Sequence, residues 1–217
     1  MKVVKPSFEI LTPMDRESIC KQIELVARTC YKSEDQITDT SAPKMVKALI
    51  NRKHLAMIEH AHVSVKFTCD RGVSHEIVRH RVASYAQEST RYCNYSLGKH
   101  GNEITVIEPF FFKEGTPEYA AWYEACLFSE KMYMDLLSMG RSPQEARSVL
   151  PNSLKTEIVV TMNLREWLHF FSLRAVGTTG APHPQMKESA FPVLEAFARE
   201  LPEVFGDLYG DAIFQEV

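Results

Sequence analysis

Between Lys66 and Lys99 the sequence contains no lysine, although four arginines, Arg71, Arg79, Arg81 and Arg91, fall in that stretch. Other absences set wider limits. No apolar run approaches the ~20 residues that a membrane helix requires, so no membrane span is expected. No GxGxxG follows a predicted strand, which leaves a Rossmann dinucleotide site unsupported. Positive charge is not in excess: the net charge is -3, which gives no global attraction for nucleic acid or an anionic surface. Any anionic ligand therefore has to be held by a local cluster of cations. The five cysteines, Cys20, Cys30, Cys69, Cys93 and Cys126, are widely spaced, and none forms a CxxC pair. Reduced thiols in a cytoplasmic protein are the expectation. The opening segment, MKVVKPSFEILTP, turns polar too quickly to read as a signal h-region.

What is present is an ordinary globular balance, with 45% hydrophobic and 24% charged residues, enough for one sizeable core. No repeat or flexible linker divides the chain, so residues 1–217 are expected to form a single domain. Phe8–Leu11 suits a short strand. Asp15 suits the N-cap of a helix with Ile19, Ile23, Val26 and Ala27 on one face. Ser41 and Pro43 open a second helix. His62–Thr68 alternates, with Val63, Val65 and Phe67 on one face, as a half-buried strand does. Gly72 then breaks the pattern, and Val73–Arg81 is expected to be helical. Further expectations are a strand at Ile104–Ile107, a long helix from Pro117 to Met139, a short one from Pro143, and a strand at Glu157–Met162. Arg165–Ala175 and Lys187–Phe205 suit helices, the second with a possible kink at Pro192. The fold class is α+β, a small, mainly antiparallel sheet flanked by helices.

Chemistry concentrates in Arg79–Arg91, which reads RHRVASYAQESTR. Arginine offers a planar fork to phosphate or carboxylate and keeps its charge when desolvated. A solvated, salt-bridged helix face would mix lysine with arginine, although Glu76 lies at helical spacing from Arg79. The polar stretch Ser84–Tyr92 supplies hydroxyls, an amide and a guanidinium, the groups that a nucleotide phosphate and sugar require. By itself this spacing supports an anion-binding loop.

The segment resembles the signature of the flavin-dependent thymidylate synthases: Arg79-His80-Arg81, seven residues, then Ser89, with Ser84 and Arg91 also in place. That family commonly has Asn-Glu where this chain has Ala86-Gln87. The resemblance extends along the chain. His54 with Glu59-His60 resembles an upstream element, although Ala56 stands where a hydroxyl residue is common. Ala146-Arg147 before Leu150-Pro151 resembles a second element. Asn163-x-Arg165, His169 and Leu173-Arg174-Ala175 resemble a third, and His183-Pro184-Gln185 follows in order. Several unlinked elements matching in order are more specific than one pattern.

The resemblance implies conversion of dUMP to dTMP. The carbon comes from methylenetetrahydrofolate and the hydride from FAD reduced by NADPH. It implies that Arg174 is catalytic, beside the uracil. It implies that Glu76, Arg79, Gln87, Glu88, Ser89, Thr90, Arg91, Arg147 and Arg174 bind dUMP. His54, Glu59, Arg79, His80, Arg81, Asn163, Arg165, His169 and His183 would hold FAD. It further implies a homotetramer.

Competing readings of single residues are weaker. Ser89 as a nucleophile has no assignable base. His75 and His80 are five apart, off the i, i+4 spacing of a zinc helix, and His60 with His62 on one strand face lacks a third ligand, so no metal is expected. Cys93 reads as a structural thiol and Trp122–Met139 as core or subunit contact. A nucleic-acid module is the rival from another class, and the acidic balance with no broad Lys/Arg face argues against it.

Overall fold

The computed structural model describes residues 1–98 and 101–214. It has two compact units, Met1–Phe8 with Phe67–Arg79 and Tyr85–Val159, and Glu9–Lys66 with His80–Ser84 and Val160–Val217. The strands β2 (Ser7–Ile10), β3 (His62–Asp70), β4 (Ala83–Gln87) and β6 (Lys155–Asn163) make a four-stranded sheet in the order β2-β3-β6-β4. Leu11 N donates to Ser64 O while Lys66 pairs with Glu9, so the numbers run oppositely on β2 and β3 and the pair is antiparallel. Val63, Val65 and Phe67 are fully buried as the alternation requires.

In the first unit, β1 (Lys2–Val4) runs parallel to β5 (Thr105–Ile107). This two-stranded sheet is the parallel exception to a mainly antiparallel α+β fold. The same unit holds α3 (Arg71–Ile77), α4 (Pro117–Ser138) and α5 (Pro143–Ala146). Tyr95, Ile104, Val106, Cys126, Tyr133, Ala146 and Leu154 form its core. The aromatic and Met-rich helix α4 therefore supplies core through Cys126 and Tyr133, while Phe128 on the same helix remains exposed.

The second unit holds α1 (Arg16–Thr29), α2 (Ser41–Asn51), α6 (Leu164–Phe171), α7 (Pro184–Glu200) and α8 (Pro202–Phe214). Asp15 caps α1, its carboxylate accepting Glu17 N–H. The core is aromatic: Trp167 stacks on Phe171 at 5.4 Å and meets Phe197 at 5.1 Å, and its indole donates to Val63 O at 3.0 Å. Truncating so buried a ring costs about 3–5 kcal/mol. A π-helical turn, Ser172–Val176, follows α6 and ends at Gly177 in the left-handed region.

Four local expectations are corrected. Gly72 lies inside the first turn of α3, which Asp70 caps by accepting Val73 N–H, and the helix stops at Ile77, short of Arg79–Arg81. Half of the polar stretch beginning at Ser84 is strand, not loop, because β4 pairs with β6 at the sheet edge. The C-terminal helical region is two helices broken at Leu201, and Pro192 stands inside α7. His60 ends a 3-10 turn, Leu55–His60, so it shares no strand with His62. Strand β1 was not anticipated. Cys20, Cys69 and Cys126 are buried, Cys93 is half-buried and Cys30 is exposed. Among the described residues no helix is long and apolar enough to cross a membrane.

Candidate active site

The second half of the arginine-rich segment lies in the first unit, where internal bonds set its course. Gln87 donates from Nε2 to Ser74 Oγ at 2.9 Å and to Thr156 Oγ1 at 3.3 Å. Arg71 donates to Glu88 O at 3.2 Å and to Thr156 Oγ1 at 3.3 Å. The Glu88 carboxylate is gripped from both oxygens, by Tyr95 OH at 3.1 Å and Lys155 Nζ at 3.1 Å. Burial and the facing Glu88 raise the Tyr95 phenol above its ordinary value, so it stays a donor. Burial works against the charge on Lys155, but Glu157 and Glu88 outweigh it and raise the ammonium. These bonds anchor a turn in which Ser89 Oγ accepts Arg91 N–H at 3.2 Å. Beyond the turn, Arg147 Nη1 approaches Thr90 Oγ1 at 3.4 Å and Arg91 Nε donates to Gln144 Oε1 at 3.1 Å. Both guanidiniums are exposed and keep donors available to a ligand. Arg79 is exposed as well, just past α3, and Glu76 is half-buried on that helix.

The last two residues of the Arg-His-Arg motif lie in the second unit, where Arg81 is exposed and His80 is only 4% exposed. His80 Nδ1 faces Glu166 Oε1 at 3.2 Å, and Arg174 Nε donates to His80 Nε2 at 3.2 Å. The ring meets Phe170 edge-on at 5.0 Å and His169 at 5.5 Å. Burial, then the charge of Arg174 and then His169 push the His80 pKa down to about 4, so the imidazole is neutral near pH 7. Burial raises the Glu166 carboxyl, with His169 opposing. Asn163 caps α6, its Oδ1 accepting Glu166 N–H at 2.9 Å.

Beside this group opens a cleft of about 970 Å³. Glu59, Asn163, Arg165 and His169 are on its wall, with Leu55 and Leu168 as apolar surface. Glu59 and Arg165 form an ion pair at 2.5 Å. His54 lines a smaller adjoining recess that also takes in Leu55 and Arg165. His183 is exposed immediately before α7. Sequence reasoning missed Glu166, Lys53, Tyr95 and Lys155. Glu166 had a signal, since Asn163-x-x-Glu166 has the spacing of a capped helix start. The cleft has the size and the mixture of donors and apolar wall that a large planar cofactor with a phosphate-bearing tail requires. His80, Glu166 and His169 present ligand atoms within 4.8 Å of one another. His80 Nδ1 is already engaged with Glu166 and its Nε2 with Arg174, so a metal there would have to break one of these contacts.

An α+β chain with a large polar-walled cleft, a buried imidazole held between a carboxyl and a guanidinium, and exposed arginines at and beyond a pinned turn defines a ligand-binding enzyme class. Residues 14–203 match the family model described as thymidylate synthase complementing protein, and the chain belongs to that family. Curated relatives include the flavin-dependent thymidylate synthase of Pyrococcus furiosus, 32% identical over 77% of this chain and 67% of its own length. The enzyme of the same name from Mycobacterium sp. (strain KMS) is 32% identical over 89% of this chain and 81% of its own. Among solved structures, the UMP/dUMP methylase PolB from Streptomyces cacaoi bound with 5-Br UMP superposes with a TM-score of 0.77 at 19% identity, covering 98% and 97% of the two chains. That likeness concerns the fold.

Proposed function

We propose that this chain is a flavin-dependent thymidylate synthase that methylates dUMP to dTMP, with FAD as cofactor. One observation carries the reading: Glu59, Asn163, Arg165 and His169, more than a hundred residues apart at the extremes, meet on the wall of one cleft. The relatives bear that activity in their names. Methylenetetrahydrofolate as carbon donor, NADPH as reductant, a homotetramer and a cytoplasmic location complete the proposal.

Bound flavin supplies hydride transfer, chemistry that no side chain offers. The chain's own residues bind, orient and polarise. Asn163, Arg165 and His169, with His54 in the adjoining recess, line the cofactor side, and Arg79, Arg81 and His183 are further contacts. Arg147, Arg91, Thr90 and Ser89 hold the dUMP phosphate and sugar by charge-assisted and hydroxyl bonds. Gln87, whose amide nitrogen is bound to Ser74 and Thr156, and Glu88, both of whose carboxylate oxygens are bound, contribute by holding the turn in place. Arg174 presents its guanidinium to the uracil and favours ionisation at N3, which makes the ring carbon more nucleophilic.

The test is dUMP-dependent oxidation of NADPH by protein loaded with FAD and methylenetetrahydrofolate, with dTMP measured as product. Arg174→Ala is expected to lower dTMP formation by at least about a hundredfold, the scale of removing one electrostatic stabiliser. Reduction of FAD by NADPH should largely survive. Equal loss of both half-reactions would remove Arg174 from substrate activation.

A further inference from the structure

Building on the functional reading above, we infer that Glu166 is a positioning residue: acting through His80, it fixes the guanidinium of Arg174 in the pose that meets the uracil. The geometry of one imidazole carries this. Arginine has no acceptor, so the 3.2 Å contact from Arg174 Nε to His80 Nε2 requires a bare Nε2 with its lone pair free. The single ring proton of a neutral imidazole is then on Nδ1, where it donates to Glu166 Oε1 at 3.2 Å. Glu166 thus selects the only neutral tautomer that can accept from Arg174, as a carboxylate does when it sets the far nitrogen of a histidine.

Each link is itself held. His80 has a side chain only 3% exposed and is flanked by the rings of Phe170 and His169. Glu166 is fixed at the start of α6 by the Asn163 cap on its N–H. Arg174 is on the π-helical turn Ser172–Val176, which sets its side chain apart from the register of α6. With both ring nitrogens engaged inside the protein, His80 serves the site through Arg174 and not as a flavin contact. The outer arginines of the motif keep that role.

Two measurements test this on the full-length protein loaded with FAD. Nitrogen-15 shifts of the His80 ring near pH 7 should show a protonated Nδ1 and a bare Nε2; a proton on Nε2 overturns the inference without any variant. The second is a double-mutant cycle on dUMP affinity, followed by titration. Glu166→Ala should weaken dUMP roughly tenfold, the scale of losing one hydrogen bond to a charged group. Glu166→Gln, which keeps an acceptor for the Nδ1 proton, should recover most of that. In an Arg174→Ala background the Glu166→Ala change should cost nothing further, because the link it acts through is gone. Equal cost in both backgrounds would make Glu166 merely structural and sink the proposal. A wild-type protein that binds FAD but no dUMP would overturn the functional reading and this inference with it. Normal dUMP binding with additive variants overturns the inference alone.

Discussion

His80 shows how one residue can be set by its surroundings. Its folded pKa is depressed to about 4 from an ordinary 6.5, through burial and then the charges of Arg174 and His169. Between those values the unfolded chain binds a proton that the folded chain refuses, so the histidine's contribution to stability is full above about pH 6.5 and is lost as the pH falls towards 4. Glu166 pulls the other way, since a carboxyl raised by burial loses its contribution as the pH rises through its folded pKa. Comparing thermal unfolding of the wild type and His80→Gln from pH 7 to pH 4 isolates the imidazole. The wild type should lose more stability than the variant across that window, and parallel curves would show that His80 titrates normally. At this scale the sequence was informative about residue identity and silent about partners. Asn163, Arg165, His169 and Arg174 could be nominated because side-chain type and order persist in a motif. The bond from Glu166 to His80 spans 86 positions and leaves no local trace.

Among the elements, those with a strong period or an explicit cap were legible: α1 from Asp15, β3 from its alternation, and the starts of α2, α4 and α5 from their prolines. The illegible ones owe their form to distant pairing. β4 carries Ser84, Ala86 and Gln87 with little apolar alternation and is a strand because β6 offers it a ladder. β1 is three residues long and exists through register with β5 about a hundred positions away. The stop of α3 at Ile77 has no glycine or proline to announce it. The turn after Arg174 is the clearest case of an element depending on one residue. Gly177 has φ 85°, and a Cβ there would stand 2.8 Å from Pro182 Cδ and 2.9 Å from Gly180 O. Gly177→Ala should therefore destabilise by about 1–3 kcal/mol, read as a shifted urea midpoint at constant slope. A midpoint within error of wild type would mean that the loop relaxes freely.

For the whole molecule, each compact unit gathers three separate stretches of the chain, so neither unit is a continuous stretch of sequence. The expectation of a single domain over residues 1–217 becomes a prediction: calorimetric unfolding should give one transition, with calorimetric and van't Hoff enthalpies equal. Two resolved transitions would separate the units. The sequence anticipated the α+β class because helical and strand periods both occur in it; it gave no sign of the two units, because their membership follows contacts between distant segments. The distribution of thiols has a practical consequence. Burial raises Cys69 to about 12 and Cys20 to about 11, and raises Cys126 as well, which leaves them poorly reactive. Cys30 is exposed, on the rim of an apolar recess that shares Lys53, Leu55 and Arg165 with the large cleft. Brief maleimide treatment of the native protein should place a dye at Cys30 first, as peptide mass mapping would reveal. The unmodified sequence thus carries its own attachment point for a fluorescent reporter, next to the cleft whose occupant it would sense.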